Sequence, residues 1–133
     1  MKLGLEEGLQ AVMKVQVTPE MFAQFGGHIV HPAYSTVSMI YHMEWASREI
    51  ILPYLESHEE GMGIDVSARH AGAAINGAEL TITARITKIK KLIIHTNVTV
   101  YEKNRLIGEG TVTQAVMPKS KISNLLDKGK EQV

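Results

Sequence analysis

Residues 35–56, STVSMIYHMEWASREIILPYLE, hold the only long helical pattern in the chain. Met39, Ile40, Met43, Ile50 and Ile51 share one arc of an amphipathic helix, because they recur at intervals that return to the same side of a 3.6-residue turn. Ser35 or Thr36 can cap the start, since a side-chain oxygen there accepts a hydrogen bond from a backbone N–H with no partner inside the helix. Pro53 stops or kinks the other end. At about 100° per residue Glu44 falls on the edge of the apolar arc, while Tyr41 and Trp45 point away from it. The far side therefore also carries large rings. The pattern predicts a central helix with a sheet on one side and further cover, such as a partner subunit, near the other.

The flanking sequence supplies the sheet. Upstream, Leu9, Ala11, Met13, Val15 and Val17 alternate with Gln10, Lys14 and Gln16, a half-buried strand at period two with Val12 as its exception. Thr18, Pro19 and Glu20 read as the N-cap, first position and first-turn acid of a short helix through Phe25, which Gly26-Gly27 ends. His28 to Tyr34 reads as a connecting loop, and Ser57 to Gly61 as a polar break after the long helix. Four strands then follow. In the first, from Gly63, Ile64, Val66, Ala68 and His70 face one way and Asp65, Ser67 and Arg69 the other. Leu80, Ile82, Ala84 and Ile86 mark the second, and Lys88 to Lys91 a basic turn. Leu92, Ile94, Thr96, Val98 and Val100 mark the third, and Lys103-Asn104 the next turn. Leu106 to Met117 form the fourth, with Gly108 and Gly110 inside it as bulge or close-contact points. Residues 119–133 form a last polar helix or a frayed end. Successive strands joined by short turns pair antiparallel. One helix on such a sheet is an α+β layer design, within a single domain spanning residues 1–133.

Composition excludes several function classes. The chain has 14 acidic and 14 basic residues, so no bulk charge draws it to nucleic acid or an anionic membrane. It has no cysteine, which removes disulfide, thiolate and Cys–metal chemistry. No apolar run is long enough to span a bilayer, and the first residues carry acids where a signal peptide is apolar. A cytoplasmic protein is the expectation. The six histidines show no metal-ligand spacing such as HExxH, so no metal is expected.

The strand alternation puts His70 on the face that meets the helix, and Glu44 borders the apolar arc. The two can converge in a half-buried place as an acid–base or nucleophile pair, with the Thr36 hydroxyl two turns before Glu44. Each has a plainer explanation. Glu44 can pair with Arg48 four residues on, His70 can be a structural histidine, and Thr36 can be the N-cap. Met39 and Met43 read as core.

The segment T-x(7)-E-W-A from Thr36 to Ala46, then P-Y-L-E at Pro53 to Glu56, then Gly63 followed seven residues later by His70 and a small-residue run to Gly77, resembles hotdog-fold thioesterases of the fluoroacetyl-CoA thioesterase type. The resemblance implies a hotdog: a five-stranded antiparallel sheet wrapped around one long helix, forming homodimers or tetramers with acyl-CoA sites at the interface. It implies Thr36, Glu44 and His70 as the catalytic set, and hydrolysis of an acyl-CoA to free acid and CoA with no cofactor beyond the CoA of the substrate. The backbone N–H groups around Gly63, or those at the helix N-terminus, are the candidates to hold the oxyanion, and the helix N-terminus is the physically cheaper source because its free N–H groups point outward. Arg69, Arg85 and the Lys88 to Lys91 turn are candidates for the CoA phosphates, and the loop from Gly26 to Tyr34 for the acyl end. The rival functions are a non-catalytic acyl-CoA-binding hotdog and a hotdog dehydratase or hydratase.

Overall fold

The long helix, α1, runs from Thr36 to Ile51. Ser35 is its N-cap: with extended backbone (φ −84°, ψ 154°), it accepts the Ser38 N–H on its hydroxyl at 3.0 Å. At the far end a single 3-10 turn, Leu52–Tyr54, carries Pro53 and turns the chain away. Met39, Met43, Ala46 and Ile51 are fully shielded, and Ile50 nearly so. Each large apolar side chain taken out of water in this way stabilises the fold by about 1.5–3 kcal/mol. Tyr41 and Trp45 stay exposed on the opposite side, their ring centres 5.7 Å apart.

The structure is a computed structural model and describes all 133 residues. The strands are β1 (Gln10–Gln16), β2 (Phe22–Phe25), β3 (His28–Tyr34), β4 (Glu59–His70), β5 (Glu79–Lys90), β6 (Ile93–Glu102) and β7 (Arg105–Pro118). Five of them form one antiparallel sheet in the order β1-β5-β6-β7-β4, and α1 packs against every one. This is the helix-in-sheet arrangement expected of a hotdog. The period-two faces hold: Leu80, Ile82, Ala84 and Ile86 of β5, and Ile94, Thr96, Val98 and Val100 of β6, are buried against the helix. Gly108 and Gly110 make room for it. A Cβ on Gly108 would meet Met39 Sδ at 2.2 Å, and one on Gly110 the Ser67 carbonyl at 1.9 Å.

Four expectations change. Residues 19–34 are one 3-10 turn, Pro19–Met21, and a β2–β3 hairpin rather than a short helix and a loop. Gly26 and Gly27 both have positive φ (58° and 83°), the two-residue turn that matches the twist of paired strands. The Lys88 to Lys91 segment is mostly strand: β5 runs to Lys90, and only Lys91 (φ 57°) and Leu92 turn the chain. Strand β4 begins at Glu59, inside the expected polar break. The Glu59 side chain is tied down there, accepting the Glu56 N–H at 2.9 Å. Finally, Ile64 does not share the inner face. A bulge between Gly63 and Asp65 leaves it as an extra residue with its side chain 53% exposed. Residues Lys119–Lys130 form a last helix, α2.

Candidate active site

Helix α1 and strand β4 flank the site. Thr36 opens α1, and because Ser35 takes the capping role, the Thr36 hydroxyl is free for another partner. It shares a 2.9 Å hydrogen bond with Nδ1 of His70, the last residue of β4. Two groups that are 34 residues apart in sequence thus meet where α1 begins and β4 ends. With Nδ1 engaged, Nε2 is the imidazole nitrogen left for chemistry.

Glu44 lies two turns further along α1. The structure does not bring it to His70 within the chain. Its carboxylate lies against Gly63, where an added Cβ would stand 3.2 Å from Oε2. The bulge at Ile64 is what turns Gly63, rather than Ile64, toward the helix at this level. Glu44 is exposed and lines a cleft of about 360 Å³ with Tyr41, Trp45, Arg48, Gly61 and Gly63. It makes no ion pair with Arg48. The Arg48 guanidinium goes instead to Glu60 at 2.7 Å. The Gly61 N–H and then Arg48 hold the Glu60 carboxyl below its ordinary range. The carboxylate of Glu44 is left unengaged, as a nucleophile or base requires.

The arginine candidates for the CoA phosphates sit elsewhere. Arg69 points to the face of β4 away from α1 and lies 3.8 Å from Glu109. Arg85 alternates with the buried Ala84 and Ile86 and so shares that outer face. Lys88 and Lys90 project from β5 beyond a register shift, and Lys91 stands in the turn. A larger cleft of about 890 Å³ runs by β1 and β5, lined by Lys14, Gln16, Glu79, Thr81, Glu102 and Lys103. It contains none of Thr36, Glu44 and His70, whereas the smaller cleft is lined by the Glu44 carboxylate and is the better chemical candidate despite its size.

One buried pair escapes sequence reasoning. Tyr34, at the end of β3, and His42, on α1, share a 2.6 Å hydrogen bond between the phenol and Nδ1, and their rings stack with centres 5.7 Å apart. Burial pushes the tyrosine up and the histidine down from their ordinary pKa values, so both are neutral. The phenol has no other partner, so its O–H donates and His42 carries its proton on Nε2. The Tyr34 and His70 rings lie nearly perpendicular, centre to centre 6.3 Å. The position of His42 on the flank of the apolar arc was the available signal. No group of three or more His, Asp or Glu side chains is placed to hold a metal ion. No helix is long and apolar enough to cross a membrane.

The family of fluoroacetyl-CoA-specific thioesterases matches residues 17–120. Fluoroacetyl-CoA thioesterase of Streptantibioticus cattleyicolor is 30% identical over 84 residues, 63% of this chain, and the chain spans about 60% of that relative's length. A Thermus thermophilus hypothetical protein described as a thioesterase superfamily member superposes with a TM-score of 0.93 at 41% identity, over 98% of this chain and 96% of that one. A point mutant of the fluoroacetyl-CoA-specific thioesterase, solved with fluoroacetate and CoA, superposes with a TM-score of 0.81 at 24% identity, over 89% of this chain and 99% of that one. At that identity the likeness speaks for the fold alone.

Proposed function

This chain belongs to the fluoroacetyl-CoA-specific thioesterase family, and from that membership we propose that it is an acyl-CoA thioesterase whose reacting groups are Thr36, Glu44 and His70. The observation that carries this reading is the Thr36–His70 hydrogen bond, in a fold that also leaves the Glu44 carboxylate unengaged over Gly63. The net reaction adds water across the thioester: the acyl carbon gains the oxygen and the CoA sulfur leaves with a proton. Glu44 either attacks the carbonyl, giving an anhydride that water opens, or takes the proton from the attacking water. His70 delivers a proton to the departing sulfur through Nε2, and Thr36 fixes its ring by way of Nδ1. The Thr36 and Val37 N–H groups have no partner inside α1 and suit the developing oxyanion. The N–H groups around Gly63 are the other source.

Eight residues along a helix amount to about 12 Å of rise, so Thr36 and Glu44 of one chain do not reach the same carbon. A homodimer resolves this. Strand β4 is an open sheet edge, and a second copy laid along it brings His70 of the partner subunit toward Gly63 and Glu44. We take the dimer to act in the cytoplasm on a soluble acyl-CoA.

Free-thiol release from a panel of acyl-CoAs tests the reaction and defines the acyl group, separating hydrolysis from simple binding and from hydration. In that assay Glu44→Gln, which keeps shape and removes charge, lowers kcat at least ~10²-fold with the dimer intact. His70→Ala falls similarly, and the double variant loses far less than the product of the two effects. Near-normal hydrolysis by folded Glu44→Gln returns Glu44 to the helix surface.

A further inference from the structure

Where strand β3 runs into helix α1, three consecutive side chains take three different partners. Ser35 caps the helix, Thr36 turns to Nδ1 of His70, and Tyr34 turns inward to His42. Tyr34 and His42 are 2% and 4% exposed, and neither lines the cleft beside Glu44. Their hydrogen bond joins the last residue of β3 to the second turn of α1. Backbone bonds fix Tyr34 as well. Its N–H donates to the Ala74 carbonyl at 2.8 Å, and Ala33 bridges Ile75, so the end of β3 is tied to the segment just past His70. That segment is pinned in turn, because the Ala71 and Gly72 N–H groups both donate to the Ile107 carbonyl. The Tyr34 ring thus stands beside His70 as a fixed wall, its plane 76° from that of the imidazole.

The Thr36 bond by itself does not orient the imidazole. One hydrogen bond at Nδ1 fixes a point and leaves the ring free to swing about it, whereas His70 has to direct Nε2 at the departing sulfur. The second constraint comes from what the ring lies beside. We propose that Tyr34, braced by His42, is a positioning residue for His70: it holds the imidazole plane, so that Nδ1 stays on Thr36 and Nε2 stays aimed at the thioester. A hydrogen bond suits this task because it is directional, as apolar packing is not. Replacing both partners by apolar groups of the same shape costs a protein little stability, so the buried pair contributes orientation more than strength. Tyr34 acts through His70 rather than on the substrate. The inference rests on the reading of His70 as a reacting group.

Tyr34→Phe or His42→Leu alone strands a buried polar atom and endangers folding, so the variant tested carries both changes and leaves none. It keeps the aromatic wall and removes the brace. Thiol release is expected to show kcat about tenfold lower with KM nearly unchanged, since a misplacement near 1 Å costs about 10²-fold and a tilted ring moves Nε2 by less. In a His70→Ala background the same two changes are expected to cost no further activity. His42→Gln, whose amide oxygen accepts the phenol O–H, is expected to keep kcat close to the parent value. The proton NMR signals of the His70 ring, identified by their loss in His70→Ala, read its position without reference to activity. Phenylalanine keeps a comparable ring current, so these signals move in the double variant only if the wall moves, and they stay near their parent positions in His42→Gln. A folded double variant with parental kcat overturns the inference. So does an equal loss in the His70→Ala background, or a set of His70 signals that does not move. A parent protein that releases no thiol from any acyl-CoA overturns the hydrolase reading instead, and the NMR shift then decides by itself whether Tyr34 and His42 hold His70.

Discussion

Gly63→Ala isolates the geometry that seats Glu44. Gly63 is not at positive φ, so alanine costs no backbone strain there, and the added methyl would lie 3.2 Å from Oε2, 3.5 Å from Cδ and 3.8 Å from Oε1 of Glu44. Ordinary contact starts a few tenths of an ångström further out, and the exposed carboxylate has no hydrogen bond holding it back. It therefore swings aside. Removing glycine from the unfolded chain stabilises by about 0.4–1 kcal/mol, which offsets the crowding, and the melting temperature stays within a few degrees of the parent. Catalysis is less forgiving. A misplacement near 1 Å costs about 10²-fold, so a shift of roughly half that is expected to lower kcat about tenfold with KM nearly unchanged. Thiol-release kinetics read kcat and KM, and circular dichroism reads the melt. The decisive arm repeats Gly63→Ala in Glu44→Gln: if the glycine acts by seating the carboxylate, little further activity is lost. A second tenfold loss in that background refutes the argument and gives Gly63 a role of its own, such as its N–H at the oxyanion.

Gly110→Ala is expected to be far more damaging to stability, because its Cβ would meet the Ser67 carbonyl at 1.9 Å and Ala68 Cα at 2.9 Å, backbone atoms that cannot rotate away. A loss of about 1–3 kcal/mol or more lowers the urea midpoint and leaves the m-value unchanged. The His42 imidazole, buried and held below its usual pKa, binds its proton more weakly folded than unfolded. Stability is therefore fully present above about pH 6.5 and falls as pH drops through that value toward the lower folded one. Protonation also makes Nδ1 a donor and takes the acceptor from the Tyr34 O–H. Melting temperatures measured from pH 7.5 to 5.5 are expected to decline in the parent and to decline less in His42→Gln, while the Glu60 contribution, from a carboxyl held below 4.5, is lost only in more acid buffer. Thr36→Ala is expected to reduce kcat less than His70→Ala, because water partly replaces an orienting hydroxyl.

What the sequence determined by itself were the features whose cause is local. The apolar arc of α1 and the inner faces of β5 and β6 follow from residue period alone, because a helix or strand repeats its direction every few residues whatever surrounds it. Gly108 and Gly110 stood out inside a strand pattern because glycine there marks a bulge or a close neighbour, and the structure shows the close neighbour. Glu44, Thr36 and His70 were named from their spacing and from the family resemblance. Their arrangement was decided by tertiary structure. Ser35 and Thr36 are equivalent caps in sequence, and the reach of His70 from the end of β4 decides that Ser35 caps while Thr36 turns to the imidazole. The extra residue at Ile64 shifts the alternation by one, since a sheet face inverts with every residue inserted, and it thereby gives Glu44 the side-chain-free surface of Gly63. Tyr34 and His42 form a buried hydrogen bond because the hairpin and the helix meet, and neither segment announces the other. In the same way the two positive-φ glycines made residues 22–34 a hairpin through pairing partners that a local reading of the short segment did not supply. Local periodicity fixes which side of an element is apolar. Which polar groups meet depends on where separate elements end, and that is settled only when the sheet closes around the helix.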